Sequence, residues 1–232
     1  MSAITEFVFA LAGFLTLHMV PARPGIRNAL ISRLGRRRYL AIYSALSIVA
    51  IGWLLSAAIR APVIDLWQPR PWHVVIAIAI MPFAAIFLVA GLATANPLSI
   101  SLTARPFLSE RPGIVAVTRH PVLWGFGLWA LVHVLANGDL VAVILFGGLA
   151  LFAFGGIALV ESRAIARLGE QQWRTFARST SILPMAAILA RRARLPRDFR
   201  TIVLAVAALA FYAAFLFVGH SVLFGLAPID RL

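Results

Sequence analysis

Cysteine is absent from the 232 residues. Its absence excludes disulfides, thiolate metal ligands, iron–sulfur clusters and covalent haem attachment through Cys-x-x-Cys-His, so a bound metal must rest on nitrogen, oxygen or methionine sulfur. Charge is scarce as well: Asp, Glu, Lys and Arg make up 12% of the chain, and only eight residues are acidic. Few carboxylates are on hand as general bases and the sequence shows no Ser/His/Asp constellation, which speaks against hydrolysis. Lysine is missing altogether, all 21 basic residues being arginine.

Apolar residues fill the space. The chain is 62% hydrophobic with a mean hydropathy of +0.93, values of an integral membrane protein. Apolar runs lie near 3–20, 40–59, 73–95, 121–136, 140–160 and 202–226. Most approach the ~20 residues that cross a hydrocarbon core, so the expectation is an all-α polytopic bundle of about six transmembrane helices. The first run has Glu6 ahead of its apolar core, no basic flank before it and no Ala-x-Ala site after it, so it is expected to stay as a helix. With no internal repeat and no low-complexity tract, residues 1–232 read as a single membrane domain.

The arginines are unevenly spread. Eighteen of the 21 fall in the segments 21–38, 96–119 and 161–200, and Arg60, Arg70 and Arg231 are the remainder. Such a bias signals topology rather than nucleic acid binding: the three rich segments are expected in the cytoplasm and both termini outside. Trp53, Trp67 and Trp72 then fall at the outer boundary, as interfacial anchors do. In the first basic segment Ile26, Leu30 and Leu34 recur at helical spacing, the pattern of an amphipathic helix in the headgroup region. In the third, Ile165, Leu168, Trp173 and Phe176 alternate with arginines and predict a second such helix running through Gly169. Asn137-Gly138-Asp139 is a turn short enough to fold the fourth and fifth membrane helices into an antiparallel hairpin.

Histidines in or beside a bilayer are costly and are functional candidates. Pro121 suits the first position of a helix, which leaves His120 as its N-cap beside an anion-favouring helix end. His133, 13 residues further on, is displaced by ~20 Å at 1.5 Å per residue. His18 closes the first helix and matches His120 in depth, so idealised straight helices favour His18 with His120 as a pair of metal ligands. His73 and His220 read as interfacial polar residues bonded to the backbone.

Taken in order, several short motifs carry a resemblance. They are His18, Arg33-Leu34-Gly35-Arg36-Arg37-Arg38-Tyr39 with Tyr43, Ser44 and Ser47, and Thr118-Arg119-His120-Pro121 with Trp124-Gly125. Leu128-Trp129-Ala130 with His133, Asn137-Gly138-Asp139, Leu168-Gly169-Glu170, Trp173, Thr180-Ser181, Pro184 and Ala186-Ala187-Ile188 complete the set. Over most of its length the chain resembles the NnrU family of membrane proteins and, through it, the plant 15-cis-zeta-carotene isomerases. That resemblance implies a haem b held by two histidines, with ligands aligned on His18 and His133, and Arg119 as a natural partner of haem propionates. The choice between His120 and His133 stays open at this level. The family name further implies an association with nitrogen-oxide metabolism in denitrifying bacteria, and the ligand class expected is a hydrophobic or diatomic small molecule.

Arg119-His120-Pro121, followed by Glu161 and Leu168-Gly169-Glu170, is more distantly similar to the isoprenylcysteine carboxyl methyltransferases. In those enzymes the Arg-His-Pro box and adjacent glutamates bind S-adenosylmethionine. Here the glutamate pair is reduced to Val160-Glu161, and the tyrosine three residues beyond the histidine is Leu123. Arg119 and Glu161 therefore read either as cofactor ligands or as an ion pair at the membrane surface. The competing classes are a membrane methyltransferase and a non-catalytic assembly factor.

Overall fold

The computed structural model describes residues 2–21, 23–103 and 105–232. They are helical, with no β-strand among them. The elements in chain order are α1 (Ala3–Met19), α2 (Pro24–Leu34), α3 (Arg36–Arg60), α4 (Pro71–Ala93), a 3₁₀ turn (Gly113–Ala116), α5 (Pro121–Asn137) and α6 (Leu140–Leu168). Then come α7 (Glu170–Ala177), α8 (Ala186–Leu189), α9 (Phe199–Ala214) and, after a π-helical turn, α10 (His220–Phe224). Among the described residues four continuous helices are long and apolar enough to cross a membrane: α3, α4, α6 and the run Phe199–Phe224. The apolar helices α1 and α5 have 17 residues each, the short end of the spanning range. The protein is thus a multi-pass helical membrane protein.

Two boundaries differ from the hydropathy reading. α6 continues eight residues past the apolar run, because Glu161, Ser162, Arg163 and Ala164 are all tolerated in a helix once the backbone hydrogen bonds are already propagating. The helix expected to pass through Gly169 breaks there instead. Gly169 takes φ +77°, a conformation costly for residues with a Cβ, and caps α6 before α7 restarts at Glu170.

The chain divides into two compact units. The first comprises α1 to α3 with the segment up to Leu66 and Asp139–Leu145. Within it α1 packs on α3, and Glu6, costly in an apolar helix, is met by Arg60 at 2.6 Å and by the indole N–H of Trp53 at 3.3 Å. His18 stacks near Phe14 and edges toward Tyr43, at ring-centre distances of 4.2 and 6.0 Å.

The second unit holds Trp67–Gly138 and Phe146–Leu232. Its main contact is α4 on α5, and the reason is small side chains. A Cβ at Gly125 would sit 2.7 Å from Leu88 Cγ and 2.9 Å from the Ala84 carbonyl, so only glycine allows that approach. Without a hydrophobic drive between helices inside lipid, close backbone packing of this kind holds a bundle together. Across α5 and α6, Leu123 lies by Gly156, Trp124 by Phe154, and His133 by Phe146, the antiparallel hairpin that the short turn predicts. α9 leans on α4, with Tyr212 donating to the Ile78 carbonyl at 3.0 Å and Arg200 to the Ala93 carbonyl at 2.5 Å.

Between α4 and α5 the chain dips inward. The 3₁₀ turn Gly113–Ala116 is wholly buried, with Ile114 and Val115 clustering on Phe87 and Ala90 and flanked by Leu128, Ile188 and Leu204. Burying this turn draws the residues that follow it, Val117 to His120, into the interior. That is what builds the site.

Candidate functional site: a buried arginine, histidine and glutamate

Thr118 and His120 are fully buried and Arg119 is 8% exposed. Such burial of polar groups demands partners, and the loop 177–185 supplies them. Arg119 N–H donates to the Ser181 carbonyl at 2.7 Å, Thr118 Oγ1 to the Ile182 carbonyl at 2.8 Å, and Met185 N–H to the Val117 carbonyl at 2.8 Å. Trp124 Nε1, one turn into α5, also donates to the Ile182 carbonyl at 2.8 Å. On the other side Asn96 Nδ2 donates to the Arg119 carbonyl at 2.9 Å while its Oδ1 accepts from Leu98 N–H.

The arginine spends its donors on the protein. Nη1 donates to Glu161 Oε1 and Oε2 at 3.0 and 2.8 Å, Nε to Thr180 Oγ1 at 2.9 Å, and Nη2 to the Ala177 carbonyl at 3.3 Å. Its guanidinium carbon lies 5.1 Å from the centre of the Trp173 ring, within cation–π range. The indole Nε1 of Trp173 is buried and has no hydrogen-bond partner among the described residues.

His120 is equally engaged. Its Nε2 lies 2.8 Å from Glu161 Oε1 and its Nδ1 2.9 Å from Ser99 Oγ. A carboxylate only accepts, so Nε2 carries the proton, and the Ser99 hydroxyl is able to donate to Nδ1 of a neutral ring. With both nitrogens occupied, His120 keeps no lone pair for iron in this arrangement. It is the N-cap of α5 with Pro121 at the first helical position, as the sequence indicates, but its side chain makes no capping bond and serves Glu161 instead.

The two remaining candidates differ in kind. His133 Nδ1 donates to the Trp129 carbonyl one turn earlier, at 2.7 Å, and His18 Nδ1 does the same to the Phe14 carbonyl at 2.8 Å. A hydrogen bond at Nδ1 fixes the tautomer that leaves Nε2 a free electron pair, the preparation commonly found in metal-binding histidines. Neither Nε2 has a hydrogen-bond partner among the described residues. His133 is framed by Trp129 and Phe146, with ring centres 5.0 Å away in each case. His73 accepts the Arg70 backbone N–H at 3.0 Å and His220 pairs with the Leu226 carbonyl at 2.8 Å, in keeping with backbone-bonded interfacial residues.

The structure therefore brings together Arg119, His120 and Glu161, far apart in sequence, and keeps His133 away from them at the other end of α5. Arg119 and Glu161 form an ion pair at 2.8 Å. Ser99, Thr180 and Asn96 complete the cluster without having been assigned a role from sequence. An Asn-Pro pair at 96–97, just beyond an apolar helix, is a turn signal and the one sequence mark near Asn96 and Ser99. No group of three or more His, Asp or Glu suited to a metal ion occurs among the described residues.

The chain is similar in sequence to two plant proteins. The 15-cis-zeta-carotene isomerase, chloroplastic, of Zea mays is 34% identical over 107 residues, and that of Arabidopsis thaliana 33% identical over 108. Each alignment covers 46% of this chain and 29% of the relative, so the matched region spans less than a third of the length of those proteins. No solved structure matches. The family model described as NnrU protein matches residues 6–228, nearly the whole chain, and the protein belongs to that family.

Proposed function

We propose that this protein is an inner-membrane protein that binds haem b through histidine Nε2 and supports isomerase-like or redox chemistry on an apolar, unsaturated substrate entering from the bilayer. The observation that carries the reading is the state of the rings. His133 and His18 each have Nδ1 tied to a carbonyl and Nε2 unpartnered, whereas His120 has both nitrogens occupied. The donor chemistry suits haem, since neutral imidazole is its commonest protein ligand and the chain offers no thiolate. His133 and His18 are thus each, taken singly, a candidate ligand. When bound, haem would supply an iron centre able to change oxidation state or to accept a diatomic ligand such as nitric oxide. The protein's own part is to hold each ring in one tautomer and, at His133, to enclose it between Trp129 and Phe146.

Supporting the isomerase-like character is the likeness to two plant proteins named for that activity, together with the scarcity of groups for hydrolysis. The excess of arginine in 21–38, 96–119 and 161–200 supports placing those segments in the cytoplasm and both termini outside.

The test is the visible spectrum of detergent-purified protein from haem-replete cells, oxidised and dithionite-reduced. A Soret band is expected, lost or shifted by His133→Ala and His18→Ala and retained in His120→Ala. Colourless protein overturns the haem reading. If colourless protein binds S-adenosylmethionine by calorimetry, the methyltransferase class replaces it; if it binds neither, the assembly-factor class does. A reduced spectrum unmoved by nitric oxide removes the nitrogen-oxide role.

A further inference from the structure

A second polar feature lies in the second unit, apart from the buried cluster. Between the loop Ser109–Gly113 and the segment 191–198 opens a cavity of about 390 Å³ whose wall carries Arg111, Arg191, Arg192, Arg194 and Arg197. Against these five arginines stand two carboxylates, Glu110 and Asp198. Asp198 is already committed, its oxygens accepting from the backbone N–H and hydroxyl of Thr201 at 3.0 and 2.7 Å as it caps α9.

The arginines differ in employment. Arg192 is structural: its Nη1 donates to the carbonyls of Arg178 and Thr180 at 3.0 and 3.2 Å. The guanidiniums of Arg111, Arg191, Arg194 and Arg197 have no hydrogen bond or ion pair among the described residues. Four unpaired cations around one hollow repel each other, an arrangement that an anion relieves. The turn presenting three of the five is held in shape, with Arg192 and Ala193 N–H both donating to the Ala187 carbonyl at 2.8 and 3.2 Å. It is strained at Arg191, whose φ of +55° is unusual for a residue with a side chain.

The rim indicates what carries the anion. The last lining residue, Asp198, immediately precedes the 26-residue apolar run Phe199–Phe224, so the hollow lies at the end of a membrane-crossing helix. Leu195 in its wall is 49% exposed, and Phe199, the next residue after Asp198, is 83% exposed, which suits acyl chains rather than water. A planar, multiply donating guanidinium is the side chain best matched to phosphate oxygens.

We propose that this cavity binds a phosphate group, presented by the headgroup of an anionic membrane lipid whose chains lie along Leu195 and Phe199. Occupancy bears on the buried cluster, because Arg192 holds the carbonyl of Thr180 while the hydroxyl of the same residue accepts from Arg119. The inference is independent of haem.

The test uses the full-length protein in detergent, with phosphatidylglycerol, phosphatidylcholine and inorganic phosphate as probes and native mass spectrometry as the readout. Two variants are compared: Arg111→Gln/Arg194→Gln/Arg197→Gln in the cavity, and Arg33→Gln/Arg36→Gln/Arg37→Gln as a control with the same charge removed elsewhere. All six side chains are exposed, and a melting curve on each variant checks that the fold is kept. The expected result is retention of phosphatidylglycerol over phosphatidylcholine that falls about tenfold or more in the cavity variant and holds in the control. Equal loss in both variants, or in neither, overturns the site in favour of general surface attraction. Saturable inorganic phosphate that phosphatidylglycerol does not displace, lost in the cavity variant, overturns the lipid as its source.

Discussion

His120 and His133 stand on the same helix, 13 residues apart, in opposite chemical situations. At the start of α5 the imidazole is fully buried and bridges Ser99 and Glu161 within a polar cluster. Toward the end of α5 the ring is pinned at Nδ1 alone and faces aromatic neighbours. Depth along a helix says nothing of how many nitrogens of a histidine the surrounding chain has taken, and at these two rings that number differs.

The comparison breaks most visibly at Arg119. Arg119→Ala leaves Glu161 ionised in a mostly buried setting, a loss expected at about 3–5 kcal/mol and read as a large drop in melting temperature. If the melting point stays near that of the native protein, the cluster is not the structural knot described. His120→Ala comes next: it strips one of the two partners from Glu161 and orphans Ser99, for about 1–3 kcal/mol, while leaving any Soret band in place.

His133→Ala should invert that pattern. Losing the single bond to Trp129 costs about 0.5–1.5 kcal/mol in melting, but the Soret band goes or shifts. A variant pair that behaves alike in both assays would erase the distinction between the two histidines. Ser99→Ala sharpens the same contrast more gently, at about 0.5–1.5 kcal/mol with no spectral effect, because it removes one neutral hydrogen bond.

A comparison of helix starts gives the smallest effect. His120 caps α5 without a side-chain bond, whereas Asp198 caps α9 with two bonds to Thr201. Asp198→Ala is expected to cost about 1 kcal/mol. Burial works against the Asp198 charge, but the hydrogen bonds from Thr201 outweigh it and hold the carboxyl below its usual range. A carboxylate lowered on folding stabilises above its unfolded pKa and loses that contribution as pH falls through the folded one. The gap in melting temperature between native protein and Asp198→Ala should therefore close in acid and be full at neutral pH.

Much of the architecture was legible because hydrophobic length follows directly from the solvent. All six apolar runs are helices, Pro121 starts α5, and Asn137-Gly138 turns it into α6 with Gly138 in the left-handed conformation. The stretch through Gly169 differs from its apolar spacing because that spacing registers burial and says little about a backbone break that costs glycine nothing. Of the site, Arg119, His120 and Glu161 stood out as polar residues at an apolar boundary. Ser99 and Thr180 did not, since a hydroxyl carries no periodicity or charge to betray its partner.

The sequence by itself determined that this is a helical, multi-pass membrane protein and which few polar residues deserve suspicion. It did so because the energetic penalty for polar groups in hydrocarbon is local to each segment and can be read one run at a time. Only the tertiary structure decided that Arg119, His120 and Glu161 occupy one another. Hydrogen-bond saturation is a property of directions and distances between segments 40 or more residues apart, set here by the buried turn Gly113–Ala116 and by the loop that closes over it.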